Sequence, residues 1–179
     1  MRRIAVFAVL LLAAGCGGTP AKEEPAAKKG VMGVARLAPK NGSTVRGLIS
    51  FTQMGDKVAI AGDFYELFPG PHSIYIHEGG SCGSPNAASA GPVWNVAGNG
   101  GKRTGALPEL FAGSEGRANI STSSRTISVG TGRPDDVMGR SVVIYADVDP
   151  DPTAQFGVPN DRLACGVIQP STGLDLKNL

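Results

Sequence analysis

Both histidines of this 179-residue chain, His72 and His77, lie in one short stretch, GPHSIYIHEGGSC, which spans residues 70–82. Tyr75 and His77 are two residues apart, so their side chains share one face if the stretch is a β-strand. Imidazole nitrogen binds transition metals, and a phenol does so once it loses a proton that it otherwise holds up to about pH 10. The stretch therefore predicts a strand that presents candidate metal ligands on one side.

The elements that would position this strand are also predicted to be β-strands. Helical periodicity is hard to find, whereas short alternating apolar runs recur between Gly and Pro turn signals. The candidate strands are residues 31–37, 44–53, 58–65, 73–77, 117–121, 126–129, 141–146 and 164–168. Eight short strands favour an all-β fold, either an antiparallel sandwich or a barrel. Residues 79–110 lack a strand pattern and predict a long loop, which in a compact domain is usually functional or a relic of function.

The N-terminus is typical of a secreted protein. Arg2 and Arg3 precede an apolar run over residues 4–14, and a helix of that length spans about 16 Å, whereas a bilayer core needs about 30 Å. Residues 1–15 are therefore predicted to be a signal peptide. The ending LLAAGC also resembles a bacterial lipobox, in which the chain is cut before Cys16 and the thiol receives a lipid. An ordinary signal peptide followed by a chance cysteine is the alternative.

The charge balance excludes nucleic acid as an expected partner. The two signal-peptide arginines account for the net charge of +2, because 17 basic residues less these two leave 15, against 15 acidic residues. A neutral mature chain has no basic footprint for nucleic acid. Protein partners and a homodimer remain open at this stage.

Composition divides the chain into four parts. After the signal peptide, residues 16–30 are small, charged and Pro-containing, and they predict a lipidated N-terminus with a flexible tether. Residues 31–170 form one predicted β domain, and residues 171–179 a C-terminal tail. The expected location is the bacterial cell envelope, with the domain facing the periplasm and the lipid held in the membrane. The outer membrane is favoured because Gly17 replaces the aspartate that often retains lipoproteins at the inner one.

Four segments, in this order, match a known family: FPGPHSIYIHEGGSC, SAGPVWN, MGRSVVIYADVD and RLACGVI. Together they resemble the copper/zinc superoxide dismutase family in its bacterial secreted form, from about Ala35 to Ile168. The resemblance implies an eight-stranded Greek-key barrel or sandwich with long loops, in agreement with the strand count. It also implies a disulfide between Cys82 and Cys165, which are the two cysteines left in an oxidising compartment if Cys16 is lipidated.

Most metal ligands implied by this resemblance are replaced. The four positions that hold copper histidines in the family correspond to Tyr75, His77, Val93 and Tyr145, so one histidine of four remains. In the zinc loop the matching stretch GNGGKRTGALPEL contains no histidine, and Arg103 and Ala106 stand at expected ligand positions. Because a zinc site needs about four N, S or carboxylate ligands, zinc is not favoured.

The remaining polar cluster leaves two interpretations open. Tyr75, His77 and Tyr145 are predicted to converge where the family holds copper. The phenols either fill the vacated volume and hydrogen-bond to His77, or the three side chains bind iron, copper or haem. The predicted function is therefore an envelope lipoprotein without dismutase activity. An unusual metal or haem protein is the alternative, and a functional superoxide dismutase is a further alternative.

The resemblance assigns roles to two other residues. His72 matches a structural histidine that fixes a loop through hydrogen bonds from its ring. Arg162 matches the arginine that guides superoxide to copper in the family, although without copper this guide has no target. No catalytic residue is predicted firmly.

Overall fold

The computed structural model of the chain describes residues 30–96, 103–147 and 162–171. The predicted signal peptide, Cys16 and nearly all of the predicted tether and tail lie outside these ranges. Within them the protein is nearly all β, with one short 3-10 helix at Ala88–Ala90. The strands are β1 Met32–Pro39, β2 Arg46–Met54, β3 Lys57–Tyr65, β4 Gly70–His72, β5 Ile74–His77, β6 Leu110–Ala112, β7 Ala118–Ser124, β8 Ser141–Tyr145, β9 Arg162–Val167 and β10 Gln169–Ser171. No helix in the described ranges is long and apolar enough to cross a membrane.

Eight of these strands form one antiparallel sheet. Its order is β5-β8-β9-β1-β2-β3-β7, and β10 pairs with the first residues of β1. β4 and β6 make a separate two-stranded sheet. The pairing of β1 with β9, which brings Ala38 opposite Cys165, joins strands that are far apart in sequence, as Greek-key topologies do. The predicted all-β fold class is confirmed.

The main core lies on one face of the sheet, and alternation along the strands accounts for it. In β2, Ile49 and Phe51 are fully buried while their neighbours are at least partly exposed. They pack with the buried side chains Ile60 and Phe64 of β3. Burying each such side chain stabilises the fold by roughly 1.5–3 kcal/mol. The described strands therefore form because period-two apolar patterning lets them bury one face together.

Strand β5 lies at the edge of the sheet, and part of the long loop covers it. The Ile76 N–H donates to the Gly105 carbonyl oxygen at 2.8 Å, and the Trp94 N–H donates to the Ile76 carbonyl oxygen at 2.9 Å. A Cβ on Gly105 would lie 2.2 Å from the Ile76 carbonyl oxygen, so this close approach requires glycine. The described parts of the predicted loop thus hydrogen-bond to the backbone groups at the edge of β5 and cover the strand.

The predicted strand at residues 126–129 is wrong. Ile127 and Val129 are buried, but the segment forms a loop with a single bridge between Ser128 and Asp136. The Asp136 carboxylate accepts N–H groups of the loop backbone, from Gly130, Gly132 and Met138. Burial raises the pKa of Asp136, but these backbone hydrogen bonds outweigh burial and lower it overall. The Asp136 carboxylate thus accepts backbone hydrogen bonds that a neighbouring strand would accept if this segment were part of a sheet.

Candidate functional site

The candidate site lies on the face of β5, β8 and β9 that points away from the main core. The pleat sends Ile74 and Ile76 of β5 into the main core and puts Tyr75 on the opposite side. In β8, Ile144 and Tyr145 divide in the same way. All five residues of β8 are buried, so the strand separates the main core from a second, smaller cluster of buried side chains.

Tyr145 contacts both His77 and Tyr75 in this second region. The Tyr145 hydroxyl oxygen lies 3.1 Å from His77 Nε2, and the two rings are nearly parallel, with planes 18° apart and centroids 6.0 Å apart. The Tyr75 and Tyr145 rings meet edge to face, with centroids 5.7 Å apart. The exposed fractions of the three residues are 8%, 0% and 4%. The structure thus brings together the three side chains that the sequence indicated.

Hydrogen bonds assign the tautomer of His77. Its Nδ1 lies 2.8 Å from the carbonyl oxygen of Gly91, and a carbonyl can only accept, so Nδ1 carries the proton and donates it. Nε2 then keeps its lone pair and accepts the Tyr145 O–H. Both ring nitrogens of His77 are therefore engaged, and the nitrogen that a metal would need is occupied by a phenol.

The surroundings keep His77 neutral. Burial is the largest influence and lowers the pKa of His77 to about 4; the hydrogen bond to Gly91 opposes this in part, and the guanidinium groups of Arg162 and Arg103 lower the pKa further. An imidazolium in this buried site would lie near two cations, Arg162 and Arg103, which disfavour it. At neutral pH the residue is a hydrogen-bonded imidazole.

This pKa predicts a pH-dependent free energy of unfolding. Above pH 6.5 the imidazole is neutral in both states; between pH 6.5 and about 4 the unfolded chain binds a proton that the folded chain does not. Stability therefore falls as pH falls, by about 2 kcal/mol between pH 7 and pH 5 from this residue. Urea unfolding of the wild type and of His77→Gln at both pH values measures the effect. An equal pH dependence in the two proteins would contradict it.

Arg162 reaches the cluster through an irregularity in β9. The register shifts between Ile144 and Tyr145, so that Arg162 pairs with Tyr145. The Arg162 guanidinium carbon lies 5.8 Å from the centroid of the Tyr145 ring. Its Nη1 donates to the Ala87 carbonyl oxygen at 2.6 Å, and Nη2 lies 3.5 Å from the Gly91 carbonyl oxygen. Arg162, to which the family resemblance assigns a role, is thus buried, and its guanidinium group faces the carbonyl oxygens of Ala87 and Gly91.

His72 lies at the back of the site. Its ring nitrogens are 3.0 Å from the Tyr145 carbonyl oxygen and 2.8 Å from the Phe68 carbonyl oxygen, and the residue is buried. The ring therefore connects the turn before β4 to the end of β8. This arrangement supports the structural role expected for His72.

The predicted disulfide between Cys82 and Cys165 is confirmed. The two Cα atoms are 5.7 Å apart, and the bond joins residues separated by 83 positions. Cys165 belongs to β9 and packs in the same small cluster as Tyr75 and Tyr145. Lys40 reinforces the connection, because its Nζ donates to the Cys82 carbonyl oxygen at 2.5 Å. The long loop is thus fastened to the strand that carries Arg162.

Sequence reasoning missed the part that backbone carbonyls play in this site. The Gly91 carbonyl oxygen lies within hydrogen-bonding distance of both His77 and Arg162, directly after the short 3-10 helix. Gly91 has a φ of 74°, a value that favours glycine. A glycine between a run of small residues and Pro92 was the available signal, since such a glycine often ends a helical turn.

The side chains present do not fit a copper and zinc pair. His77 is the remaining histidine among the matched copper positions, and its Nε2 holds a phenol; Val93 packs against the cluster as an apolar residue. Arg103 lies with its guanidinium carbon 5.8 Å from the Tyr75 ring centroid, and a permanent cation disfavours a nearby metal ion. Among the described residues, no group of three or more His, Cys, Asp or Glu side chains could hold a metal ion.

Comparison with known proteins identifies relatives of the domain. Residues 45–168 match the family model for copper/zinc superoxide dismutase (SODC). A protein named "Superoxide dismutase [Cu-Zn]" from Caulobacter vibrioides is 32% identical over 135 residues, covering 69% of this chain and 78% of the relative. One of the same name from Onchocerca volvulus is 33% identical over 155 residues, covering 76% and 96%.

A third relative is named as extracellular. "Extracellular superoxide dismutase [Cu-Zn]" from Brugia pahangi is 29% identical over 151 residues, covering 75% of this chain and 74% of the relative. The family model covers most of the chain, and its matched range contains every strand from β2 to β9. On this agreement of sequence and strand content, the chain belongs to the copper/zinc superoxide dismutase family.

Proposed function

We propose that this protein is a cell-envelope lipoprotein whose superoxide dismutase-family domain does not dismutate superoxide. The observation that carries the proposal is the hydrogen bond from the Tyr145 hydroxyl to His77 Nε2. It occupies the one lone pair that the His77 ring has left for a metal and fills the site with a buried phenol. The function of the domain would then be binding through its surface or chemistry at the retained cluster of Tyr75, His77 and Tyr145.

The chemistry of dismutation supports this proposal. A copper ion that cycles between Cu(I) and Cu(II) needs several nitrogen ligands that accommodate both states, and His77 offers one. Binding through Tyr75 and Tyr145 would require both phenols to ionise far below their ordinary pKa, at a buried site. Arg162 and Arg103, each near a tyrosine ring, would favour phenolate but repel a metal cation.

The lipid anchor and the envelope location rest on the N-terminal sequence. Arg2, Arg3 and the apolar residues 4–14 form the signal, and Cys16 is the residue to be lipidated. Residues 17–30 would connect the lipid to β1, which begins at Met32. The word "extracellular" in the name of the Brugia pahangi relative supports export of this domain. The proposed membrane is the outer one, with the domain in the periplasm.

Metal or haem binding by Tyr75, His77 and Tyr145 is the second candidate function. The observation that favours it is the contact of two phenols and one imidazole within a single cluster. Ferric iron accepts phenolate oxygen and imidazole nitrogen, and tyrosine and histidine are both known haem ligands. Such binding would first have to break the hydrogen bond between Tyr145 and His77.

One preparation tests both the anchor and the metal question. The full chain is extracted from its own envelope with detergent, and its intact mass and metal content are measured. We expect a diacylglycerol-modified N-terminal Cys16 and less than stoichiometric copper, zinc and iron. Titration with Cu(II), Fe(III) and haemin is expected to give no intense visible band. Release of the protein without detergent would contradict the anchor.

Two variants serve as controls. Cys16→Ser should free the chain from the membrane fraction without altering the β domain. Tyr75→Phe combined with Tyr145→Phe keeps both aromatic rings but removes the two phenol oxygens. A stoichiometric metal with a charge-transfer band in the wild type, lost in this double variant, would establish the metal-binding function in place of the proposed one.

A further inference from the structure

The hydrogen bond between Tyr145 and His77 has a defined direction and is shielded from water. With Nδ1 donating to Gly91, His77 Nε2 accepts the Tyr145 proton across 3.1 Å. This distance lies within the range for direct proton transfer between a side chain and a base. The two residues are 4% and 0% exposed, so the phenolic proton faces an imidazole in a site closed to bulk solvent.

A hydrogen bond from a buried phenol to a base makes one-electron oxidation of the phenol easier. Removal of one electron makes a phenol strongly acidic, and a buried cation radical without an acceptor for its proton would be costly. The imidazole provides that acceptor at hydrogen-bonding distance. We propose that Tyr145 is a one-electron donor in this protein and that His77 Nε2 accepts its phenolic proton as the electron leaves.

The O–H bond of Tyr145 breaks, an N–H bond forms at His77 Nε2, and one electron leaves the phenol, which gives a neutral phenoxyl and an imidazolium. The oxidant is a small oxygen-centred radical of the peroxyl class, which becomes a peroxide anion and takes a proton from water. An enediol reductant of the ascorbate class then gives one electron to the phenoxyl and its own proton to the hydroxide that the peroxide left in water, and the phenolic proton moves back from Nε2.

The weak basicity of His77 is compatible with this step. The pKa of His77 is lowered to about 4, first by burial, but an oxidised phenol is a much stronger acid than an imidazolium, so transfer remains downhill. Arg162 near the Tyr145 ring and Arg103 near the Tyr75 ring disfavour the imidazolium. The oxidised pair is therefore a reactive state that returns its proton when it regains an electron.

Tyr75 places a second phenol ring next to Tyr145. Its ring meets that of Tyr145 edge to face at 5.7 Å between centroids, and contact at this distance permits electron exchange between the two phenols. The hydrogen bond to His77 Nε2 is made by the hydroxyl of Tyr145. The radical is therefore expected to rest on Tyr145, where the proton acceptor lies, with Tyr75 as a contact partner.

The remaining aromatic residues provide internal controls. The chain has three tyrosines and one tryptophan. Tyr65 is 37% exposed and lies on β3, with the Arg117 guanidinium carbon 5.6 Å from its ring centroid, so it can release its proton to water when oxidised. Trp94 is 3% exposed with Arg140 4.0 Å above its ring. Both compete for an oxidant, and substitution of Tyr65 removes the more accessible competitor.

The test uses the full, chelator-treated chain and azide radicals produced by pulse radiolysis as the one-electron oxidant. In a Tyr65→Phe background we expect a phenoxyl absorption and a tyrosyl electron spin resonance signal. This signal should show coupling to one exchangeable proton, which His77 Nε2 donates to the phenoxyl oxygen. Adding Tyr145→Phe should remove most of this signal, whereas adding Tyr75→Phe should retain it. Adding His77→Gln should slow phenoxyl formation by about a hundredfold, the size typical of a lost proton acceptor.

Each alternative outcome has a clear meaning. An equal phenoxyl yield with Tyr145→Phe, or a radical confined to the indole of Trp94, would overturn the proposal. An unchanged rate in His77→Gln would overturn the role of the imidazole. Tyr145→Phe removes a single oxygen and keeps the ring, so thermal unfolding can verify that this variant is folded. Because the chain is chelator-treated, this test is separate from the metal titration, and its failure would leave the proposed loss of dismutase activity standing.

Discussion

Isolated protein that has been loaded with copper and zinc and then washed with a chelator is expected to show no superoxide dismutase activity above that of the buffer. The reason lies in Tyr75, Val93 and Tyr145, which stand at three of the four positions matched to copper histidines. The remaining one, His77, already binds a phenol and a carbonyl. Turnover near the diffusion limit, about 10⁸ to 10⁹ M⁻¹ s⁻¹, by the washed wild type would refute this prediction.

Restoring histidine at the substituted positions is expected to reverse part of this loss. The triple variant Tyr75→His, Val93→His and Tyr145→His removes the phenol from His77 and supplies three further nitrogen ligands, since Tyr75 and Tyr145 belong to the small cluster and Val93 packs against it. Copper affinity should rise sharply, as measured by competition with a chromogenic chelator. Tyr65→His is the matched control, because it adds a histidine at a partly exposed residue of β3 and should leave copper affinity unchanged.

Removal of the disulfide is expected to lower the free energy of unfolding by about 2–5 kcal/mol. The bond between Cys82 and Cys165 closes a loop with a sequence separation of 83, and long loops give the larger loss of unfolded-state entropy. Urea unfolding of the wild type and of the double variant Cys82→Ser, Cys165→Ser measures the change. The double variant should be indifferent to reductant, whereas the wild type should lose stability when reduced.

The same variant should disturb the site. Cys82 lies on the loop that also carries the Ala87 and Gly91 carbonyls, and these accept hydrogen bonds from Arg162 and His77. Loosening the loop would weaken both contacts and admit water to the cluster. A midpoint of urea unfolding that is the same with and without the disulfide would contradict the prediction, as would two free thiols in the unreduced wild type.

The prediction of the site from sequence succeeded where one strand carries the information. Period-two alternation in SIYIH requires Tyr75 and His77 to share a face, whatever the rest of the fold does. The position of Tyr145 needed the resemblance to a known family, because the pairing of β5 with β8 joins residues about 70 positions apart and is not encoded locally. Short alternating runs also indicated most strands of the sheet.

The errors have a common physical cause. Residues 126–129 alternate like a strand, but the Asp136 carboxylate captures the backbone N–H groups of the following turn, and such a capture depends on the position of a residue several places away. Strands β4, β6 and β10 have three residues each, which is too short for alternation to be recognised. Tertiary pairing alone makes them strands.

The sequence by itself predicted that the domain is all-β, and its resemblance to a known family implied the Cys82–Cys165 disulfide and the loss of three of the four copper histidines. These properties depend on residue type and local period, which are written in the chain. The tertiary structure decided that the Tyr145 hydroxyl points at His77 Nε2 and that Gly91 assigns the proton to Nδ1. Both depend on ring orientations and a loop carbonyl within about 3 Å, and only packing of distant segments can place atoms to that precision.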